Sequence, residues 1–241
     1  MNMTNEELRD LADLFLNPDS GRDSLARLHV RPGVLVATDG RCLLHVEDPA
    51  IAPADGDEEP KDGFMKFRRD GVQTIAGPRK IEWLAATLVP VYEEARRKIE
   101  EWAETFDLDP EGAARADYED VTECPCCGQR LIVSNGEAQT IEQWAADNRP
   151  DEGRMRGLVV LEGEGLKEPQ PIALRYIGKA LYAAQKLGGA ERLDVCEFPT
   201  LALRGPGWDI YIARRTDDHT DPGEEVTRIR LDEEAANENR D

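Results

Sequence analysis

The residues best suited to chemistry are three cysteines in one short turn, CPCCG at residues 124–128. The spacing of Cys124 and Cys127 before a glycine is typical of a zinc knuckle, in which a tight hairpin directs two thiolates at one metal ion. Structural zinc takes four ligands, but no second C-x-x-C follows in the chain. Cys124 and Cys127 are therefore predicted to be half of a metal site. Three interpretations stay open: bound zinc, a knuckle that has lost its partner ligands, or free thiols.

No known catalytic motif accompanies the cysteines. The chain has no G-x-S-x-G, no phosphate-binding G-x-x-x-x-G-K-[ST] loop and no H-E-x-x-H. His29 and His45 fall on one face of a predicted sheet, where a two-histidine site is one alternative and two solvated side chains are the other. We therefore predict that the protein is not an enzyme.

The charge of the chain argues against two classes of partner. Its 241 residues include 30 Lys and Arg against 50 Asp and Glu, a formal net charge of −20, which disfavours wholesale binding to nucleic acid or to an anionic membrane. A local basic strip is still compatible with this charge. No apolar run approaches the roughly 20 residues of a membrane span, and the start, MNMTNEEL, is not a secretory signal. Together with five cysteines, this predicts a cytoplasmic protein.

The clearest structural pattern lies at residues 28–46, LHVRPGVLVATDGRCLLHV. It predicts three antiparallel strands with two-residue turns at Pro32-Gly33 and Asp39-Gly40. The predicted pairs are Val30–Leu35, Ala37–Cys42 and Leu35–Leu44. One face of this meander is wholly apolar and must be covered. The nearest cover is a helix predicted over residues 5–16, which begins at a T-x-x-E capping box.

The same order of elements is predicted again near the other end of the chain. A helix over residues 176–187 is followed by strands at 193–198, 201–204 and 208–213. The prediction is therefore an α+β fold made of two helix-plus-three-strand-meander halves.

Two further segments complete the predicted organisation. Residues from about 78 to 156 form a helical insertion that carries the partial knuckle, and Pro90 is expected to kink or split its long helix. Beyond Pro90, an apolar stripe indicates an amphipathic helix, with a dedicated binding arm as the alternative; it consists of Val91, Ala95, Ile99, Trp102 and Phe106. Residues 217–241 are acidic and predicted to be a disordered tail.

Three segments resemble one known family. LVATDGRCLL (35–44) resembles the A-T-D-G-x-x-L stretch of the bacterial sliding clamp, the beta subunit of DNA polymerase III. IALRYIGKALYAAQKLGGAERLDV (172–195) resembles that family's run into an inner helix, and GWDIYIARR (207–215) resembles its closing strand. The resemblance implies one clamp-like domain over residues 1–215, with halves at about 1–76 and 157–215, in a protein similar to a phage-encoded clamp.

The resemblance also implies a function. Inner helices of the family carry cations that face DNA, a role that would fall to Arg175, Lys179 and Lys186. The implied protein is a non-enzymatic, clamp-like DNA replication accessory factor that supports processivity by touching duplex DNA or by assembling with copies of itself. The alternative, which the net charge favours, is an acidic protein-interaction module with a clamp-like fold that binds or competes for replication proteins.

Overall fold

The computed structural model describes residues 3–17, 23–60, 73–110, 112, 121–124, 126–128, 130–134, 137–148, 155–163, 166–196, 200–214 and 225–232. The segment FMKFRRDGVQTI, residues 64–75, predicts a short hairpin around Arg69-Asp70-Gly71 and lies largely outside these ranges. The chain divides into two compact units: unit 1 comprises Met1–Tyr92 and Arg156–Asp241, and unit 2 comprises Glu93–Met155. The described residues form helices and mainly antiparallel sheets, so the α+β class is confirmed.

The helices and strands follow one another along the chain in this order: α1 (Asn5–Asp13), α2 (Asp23–Ala26), β1 (His29–Arg31), β2 (Val34–Thr38), β3 (Cys42–Glu47), β4 (Gln73–Ala76), α3 (Pro78–Leu108), β5 (Val121–Glu123), β6 (Arg130–Ser134), β7 (Glu137–Thr140), α4 (Ile141–Asn148), β8 (Leu158–Glu162), β9 (Gln170–Ala173), α5 (Leu174–Lys186), β10 (Arg192–Val195), β11 (Thr200–Gly205), β12 (Trp208–Ala213) and β13 (Val226–Arg230).

The main sheet of unit 1 joins the two meanders edge to edge. Its strand order is β1-β2-β3-β12-β11-β10-β4, and each neighbouring pair is antiparallel. The third strands of the two meanders meet in the middle, from Val46 opposite Trp208 to Cys42 opposite Ile212. Each meander follows a helix, α1 in the first half and α5 in the second.

The two turns of the first meander differ in length. At Pro32-Gly33 the predicted two-residue loop is present, with Val30 opposite Leu35 and φ of +80° at Gly33. At Asp39-Gly40 the predicted register is wrong by two residues, because Ala37 pairs with Leu44 and Leu35 with Val46 across a four-residue loop. A shift of two keeps every side chain on its face, so the apolar face is preserved.

Side-chain hydrogen bonds explain the wider loop. The Thr38 hydroxyl donates to the Cys42 carbonyl at 2.8 Å and accepts the N–H of Gly40 at 3.0 Å. Asp39 Oδ1 accepts the N–H groups of Arg41 and Cys42 at 2.8 and 2.6 Å. Asp and Thr side chains that bond nearby backbone compete with the two-residue turn that Asp-Gly favours.

The apolar face of the sheet is covered by helices. Buried side chains of α1, α3 and α5 share one core with the strands; they include Leu8, Leu11, Leu84, Leu88, Ile177 and Leu181. The prediction that the first helix covers the first meander is therefore confirmed. The opposite face is also largely enclosed at β1–β3, since His29, Val36 and His45 are buried.

Helix α3 is continuous through Pro90, so the prediction of a split is wrong. A proline inside a helix costs about 3 kcal/mol or more. Leu88, Val89 and Tyr92 flank Pro90 and are all buried in unit 1. Burial of each such side chain stabilises the fold by roughly 1.5–3 kcal/mol, which is enough to hold the helix together across the proline.

A second sheet of unit 1 includes part of the predicted tail. Its order is β13-β8-β9, in which β13 is parallel to β8 and β9 is antiparallel to it. Ile229 and Leu231 are buried in the main core. The prediction of a disordered tail is therefore wrong for residues 225–232, where alternate apolar side chains form a strand.

Unit 2 has a small core of its own. Strands β5, β6 and β7 form an antiparallel sheet, and Phe106, Ile132, Ile141 and Trp144 pack together. The Phe106 and Trp144 rings stack with centroids 5.2 Å apart.

The predicted stripe of α3 is only partly correct. Phe106 is buried, but Val91 and Trp102 are exposed, and Tyr92 and Ala103 are the buried residues beside them. No helix in the described part of the chain is long and apolar enough to cross a membrane.

Candidate functional site

Lys179, the central cation of the predicted DNA-binding set, lies in the core of unit 1. It sits in the middle of α5 and is 3% exposed. Its Nζ donates to Asp39 Oδ2 and to the Leu14 carbonyl oxygen, both at 2.8 Å. Lys179 is therefore not placed to contact a DNA phosphate, and this part of the prediction needs correction.

Asp39 uses both carboxylate oxygens. Oδ1 holds the four-residue turn between β2 and β3, and Oδ2 accepts the bond from Lys179. One carboxylate thus ties the turn of the first meander to the helix of the second half. Charge-assisted hydrogen bonds of this kind are the strong ones, and the loss of one partner of a buried ion pair leaves an uncompensated charge.

Helix α5 contacts α3 at Tyr92, which packs against Gly178. A Cβ atom at Gly178 would lie 2.6 Å from Tyr92 Cβ and 2.8 Å from Tyr92 Cγ, so only glycine allows this approach. The rings of Tyr92 and Tyr182 lie 6.2 Å apart on the same side. The resemblance implies an inner helix that faces DNA, whereas this helix packs against β11 and β12 and has most of its residues buried.

Arg175 and Lys186 are the predicted cations that remain at the surface. Arg175 is partly exposed, with its guanidinium carbon 4.7 Å from the Tyr176 ring centroid, and Lys186 is exposed, with its Nζ 5.3 Å from the Tyr182 ring centroid. Eleven residues separate them, which is three helical turns, so they lie on the same side about 16 Å apart. Two cations at this spacing form a sparse strip rather than a basic surface.

The two histidines of the first meander do not form one site. His29 lies on β1 and His45 on β3, each opposite Val36 of β2. Two strand spacings separate them by roughly 10 Å. Each lies near its own carboxylate, His29 Nδ1 at 3.9 Å from Glu58 and His45 Nε2 at 3.7 Å from Glu47.

The second half carries a buried polar network that sequence analysis missed. Asp194 is fully buried and accepts hydrogen bonds from Thr74 Oγ1 and Arg204 Nε, both at 2.7 Å. Arg204 also contacts Asp209 Oδ1 at 3.0 Å and the Tyr211 hydroxyl at 3.3 Å. The network joins all three strands of the second meander to β4. The one signal of it in the sequence is the alternation of charged residues at 192 and 194 at the start of a predicted strand, where Arg192 lies opposite Arg204 and Asp194 opposite Ala202.

The environment holds this network in fixed protonation states. Burial acts to lower the pKa of Arg204, but Asp209, Tyr211 and Asp194 outweigh it and the pKa is raised. Burial raises the pKa of Tyr211 and of the nearby Cys196 thiol. Arg204 therefore stays charged while Tyr211 and Cys196 stay protonated near neutral pH. The arrangement satisfies its own charges and fits a structural role.

A backbone hydrogen bond closes the cysteine turn of unit 2. The N–H of Gly128, at φ +74°, donates to the Cys124 carbonyl at 2.9 Å. The pKa of the Cys124 thiol is lowered, first by the backbone N–H of Cys126, then by that of Cys127. Cys126 and Cys127 are exposed. Within the described residues, no group of three or more His, Cys, Asp or Glu could hold a metal ion, so Cys124 and Cys127 remain a predicted half site.

Comparisons of the chain with protein-family models, with curated proteins and with solved structures find no match.

Proposed function

We propose that the chain is a non-enzymatic, acidic protein-interaction module with a sliding-clamp-like fold, which binds or competes for replication proteins. Support for the fold comes from the two helix-plus-meander halves that join through β3 and β12. Support for the choice of partner comes from the net charge of −20, which repels the phosphate backbone of DNA.

The observation that carries this choice is the enclosure of α5. Lys179 is engaged by Asp39, Tyr92 packs against Gly178, and most residues of α5 are buried. A helix in this position offers few cations for phosphate contacts, whose number sets the affinity for DNA and its salt dependence. Protein contact does not require those cations.

Unit 2 supplies the surface that fits a protein partner best. Among the described residues, the exposed large apolar side chains include Trp102 at 41%, Leu108 at 87% and Val133 at 45%, all within this unit. Contiguous apolar patches in contact with water mark interaction surfaces, and tryptophan is enriched among residues that dominate binding energy.

A binding assay with purified bacterial replication proteins tests the proposal. The full chain is immobilised, and a sliding clamp, clamp-loader subunits and replicative polymerase are passed over it in turn. We expect saturable binding of at least one of them. Trp102→Ala together with Val133→Ala should weaken that binding at least about tenfold, since truncation of a dominant contact costs 2 kcal/mol or more.

The chain offers a matched control for this assay. Val226 of β13 belongs to unit 1, and its exposed fraction of 39% is similar to the 45% of Val133. Val226→Ala should leave the affinity unchanged. The proposal is wrong if no replication protein binds, and the assignment to unit 2 is wrong if the Val226 and unit 2 variants weaken binding equally.

Contact with duplex DNA is the second candidate, because Lys186 and Arg175 remain at the surface. Fluorescence anisotropy with a labelled duplex at low salt tests it, with Arg175→Glu plus Lys186→Glu as the variant. If DNA contact is the function, the wild-type chain binds and the variant does not, with an affinity that falls steeply as salt rises. Absence of binding to the wild-type chain, or equal binding of the variant, rejects this candidate.

A further inference from the structure

The part of α3 where the chain passes from unit 1 to unit 2 lies in solvent. The first segment of unit 1 ends at Tyr92 and unit 2 begins at Glu93, both within this helix. After Tyr92 the next buried residue of the helix is Ala103. We call residues 93–102, which lie between these two, the connector. Every residue of the connector is described, and each is exposed or only half-buried.

The connector has little apolar packing to hold it in a helix. Its large or small apolar side chains are Ala95, Ile99 and Trp102. The structure, which describes all three, places none of them in the core of either unit. Packing of an apolar face supplies most of the stability of helices in proteins. A helical segment without such packing should open more easily than the two cores.

Ion pairs along the surface of the helix replace that packing. Arg97 donates to Glu94, about one turn before it, at 2.8 Å and to Glu101, about one turn after it. Pairs at these spacings stabilise a helix that stands in water, and a helix that is polar around its surface and carries many of them is typical of a solvated segment between domains. Two further pairs join Lys98 to Glu94 and Arg96 to Glu100.

We propose that the connector is a salt-sensitive conformational device, a helix that ion pairs hold closed and that opens locally while both cores stay folded. Salt screens interactions between exposed charges, and the Debye length falls from roughly 10 Å at 0.1 M to about 3 Å at 1 M. The apolar contacts of the cores carry no charge and are not screened. Higher salt should therefore increase the open fraction of the connector alone.

The charge balance of the connector determines the direction of the salt effect. Its sequence, EEARRKIEEW, has four acidic and three basic residues, so it is nearly neutral although the whole chain has a formal charge of −20. In a strongly acidic helix salt would relieve repulsion and favour the closed form. In the connector salt chiefly weakens attractive pairs, so it should favour opening.

Hydrogen exchange of the full chain, followed by mass spectrometry, tests the inference. Exchange is measured at about 0.02 M and about 0.5 M NaCl, over which screening of exposed charges rises steeply. We expect connector amides to exchange about threefold faster at the higher salt, because several weak pairs are lost together. Amides of β11 and β12 in unit 1 and of α4 in unit 2 should exchange equally at both salt concentrations.

Substitutions of Arg97 separate the ion pairs from other causes. Arg97→Gln removes the pairs with Glu94 and Glu101, so connector exchange at low salt should rise about threefold and respond less to salt. Arg79→Gln is the matched control, because Arg79 is exposed on the same helix and forms no ion pair with the described residues. It should exchange like the wild type. Arg97→Glu should open the connector further, and Glu101→Arg added to it should restore part of the protection.

Three results would overturn the inference. Connector exchange as slow as that of β11 at both salt concentrations means that other contacts hold the helix. Faster exchange of the cores together with the connector means that the opening is not local. Equal exchange of the Arg97→Gln and Arg79→Gln variants means that the ion pairs do not hold the connector closed. The measurement includes no partner protein, so its outcome is separate from the test of the proposed function.

Discussion

The two halves of unit 1 share their order of elements but differ in how deeply their helices are buried. Helix α1 packs one side against the sheet and leaves acidic residues, among them Glu6, Asp10 and Asp13, in solvent. Helix α5 is buried on nearly all sides, with Gly178, Lys179 and Ala180 among its buried residues. A repeated order of elements therefore does not imply a repeated role. The more basic helix is the one that α3 covers.

The same comparison shows where the halves are tied together. Asp39 belongs to the turn of the first meander, and Lys179 belongs to the helix of the second half. Their ion pair also engages the carbonyl of Leu14, just beyond α1. The resemblance to a clamp assigns Lys179 to DNA contact, but in this structure Lys179 links the two halves. Its removal should therefore lower the stability of the whole unit.

Replacement of Lys179 by methionine should have the largest effect. It keeps most of the length of the side chain but leaves the Asp39 carboxylate, which is only 11% exposed, without its cation. The free energy of unfolding should therefore fall by about 3 kcal/mol. Urea denaturation measures it, with Lys186→Met as the exposed control, expected within about 0.5 kcal/mol of wild type. A Lys179→Met loss as small as that of the control would show that the buried pair does not join the halves.

Gly178→Ala tests the enclosure of α5. Alanine is a better helix former than glycine by about 1 kcal/mol, but its methyl group would overlap Tyr92. Overpacking costs typically 1–3 kcal/mol, so we expect a net loss of stability. A variant that melts at a higher temperature than wild type would show that α3 does not cover this helix.

Thr4→Ala should cost about 1 kcal/mol, because it removes the capping box of α1. The Thr4 oxygen accepts the Glu7 N–H at 3.2 Å, and Glu7 accepts the Thr4 N–H at 2.7 Å. In contrast, no side chain of the described residues caps the start of α5, at Ala173. Thermal unfolding of Thr4→Ala and of Thr4→Ser, which keeps the hydroxyl group, tests the contribution of the Thr4 cap. Equal melting temperatures of the two variants would contradict it.

The smallest effect concerns acid sensitivity in the first half. The Arg9 guanidinium holds the pKa of Asp57 below its usual range, with N–O contacts of 2.7 and 2.8 Å. A carboxylate with a lowered pKa in the folded state stabilises the fold above its unfolded pKa, and that contribution is lost as pH falls through the folded pKa. We expect up to about 1 kcal/mol for a partly exposed pair.

Arg9→Met should remove this contribution near pH 6 and flatten the loss of stability below about pH 4, the usual pKa of aspartate. Urea denaturation at a series of pH values measures both changes. An unchanged pH profile in the variant would mean that the pair does not form in solution.

Local signals predicted much of the fold, and distant contacts account for the errors. The Pro32-Gly33 turn set the pair Val30–Leu35 correctly, since its loop length determines the register. The Asp39-Gly40 register depended on side-chain bonds from Thr38 and Asp39 that compete with the Asp-Gly preference. Strand β13 was missed because acidic composition outweighed the alternation of Ile229 and Leu231 with arginines.

The candidate site was harder to predict because its partners lie far apart in the chain. Lys179 meets Asp39 from 140 residues away, so no local pattern reveals the pair. One signal was available: α5 is apolar around most of its circumference, which is typical of a buried helix. The cysteine turn could be predicted because its residues are neighbours in the chain.

Chemical labelling of lysine amines tests the enclosure of α5 most directly. The folded chain is treated briefly with an acetylating reagent, and modification of each lysine is followed by mass spectrometry. We expect Lys186 to be acetylated quickly and Lys179 to stay unmodified until the chain is unfolded in urea. Acetylation of Lys179 in the folded chain at the rate of Lys186 would contradict the enclosure of α5. It would mean that the helix is exposed, as a DNA-binding clamp requires.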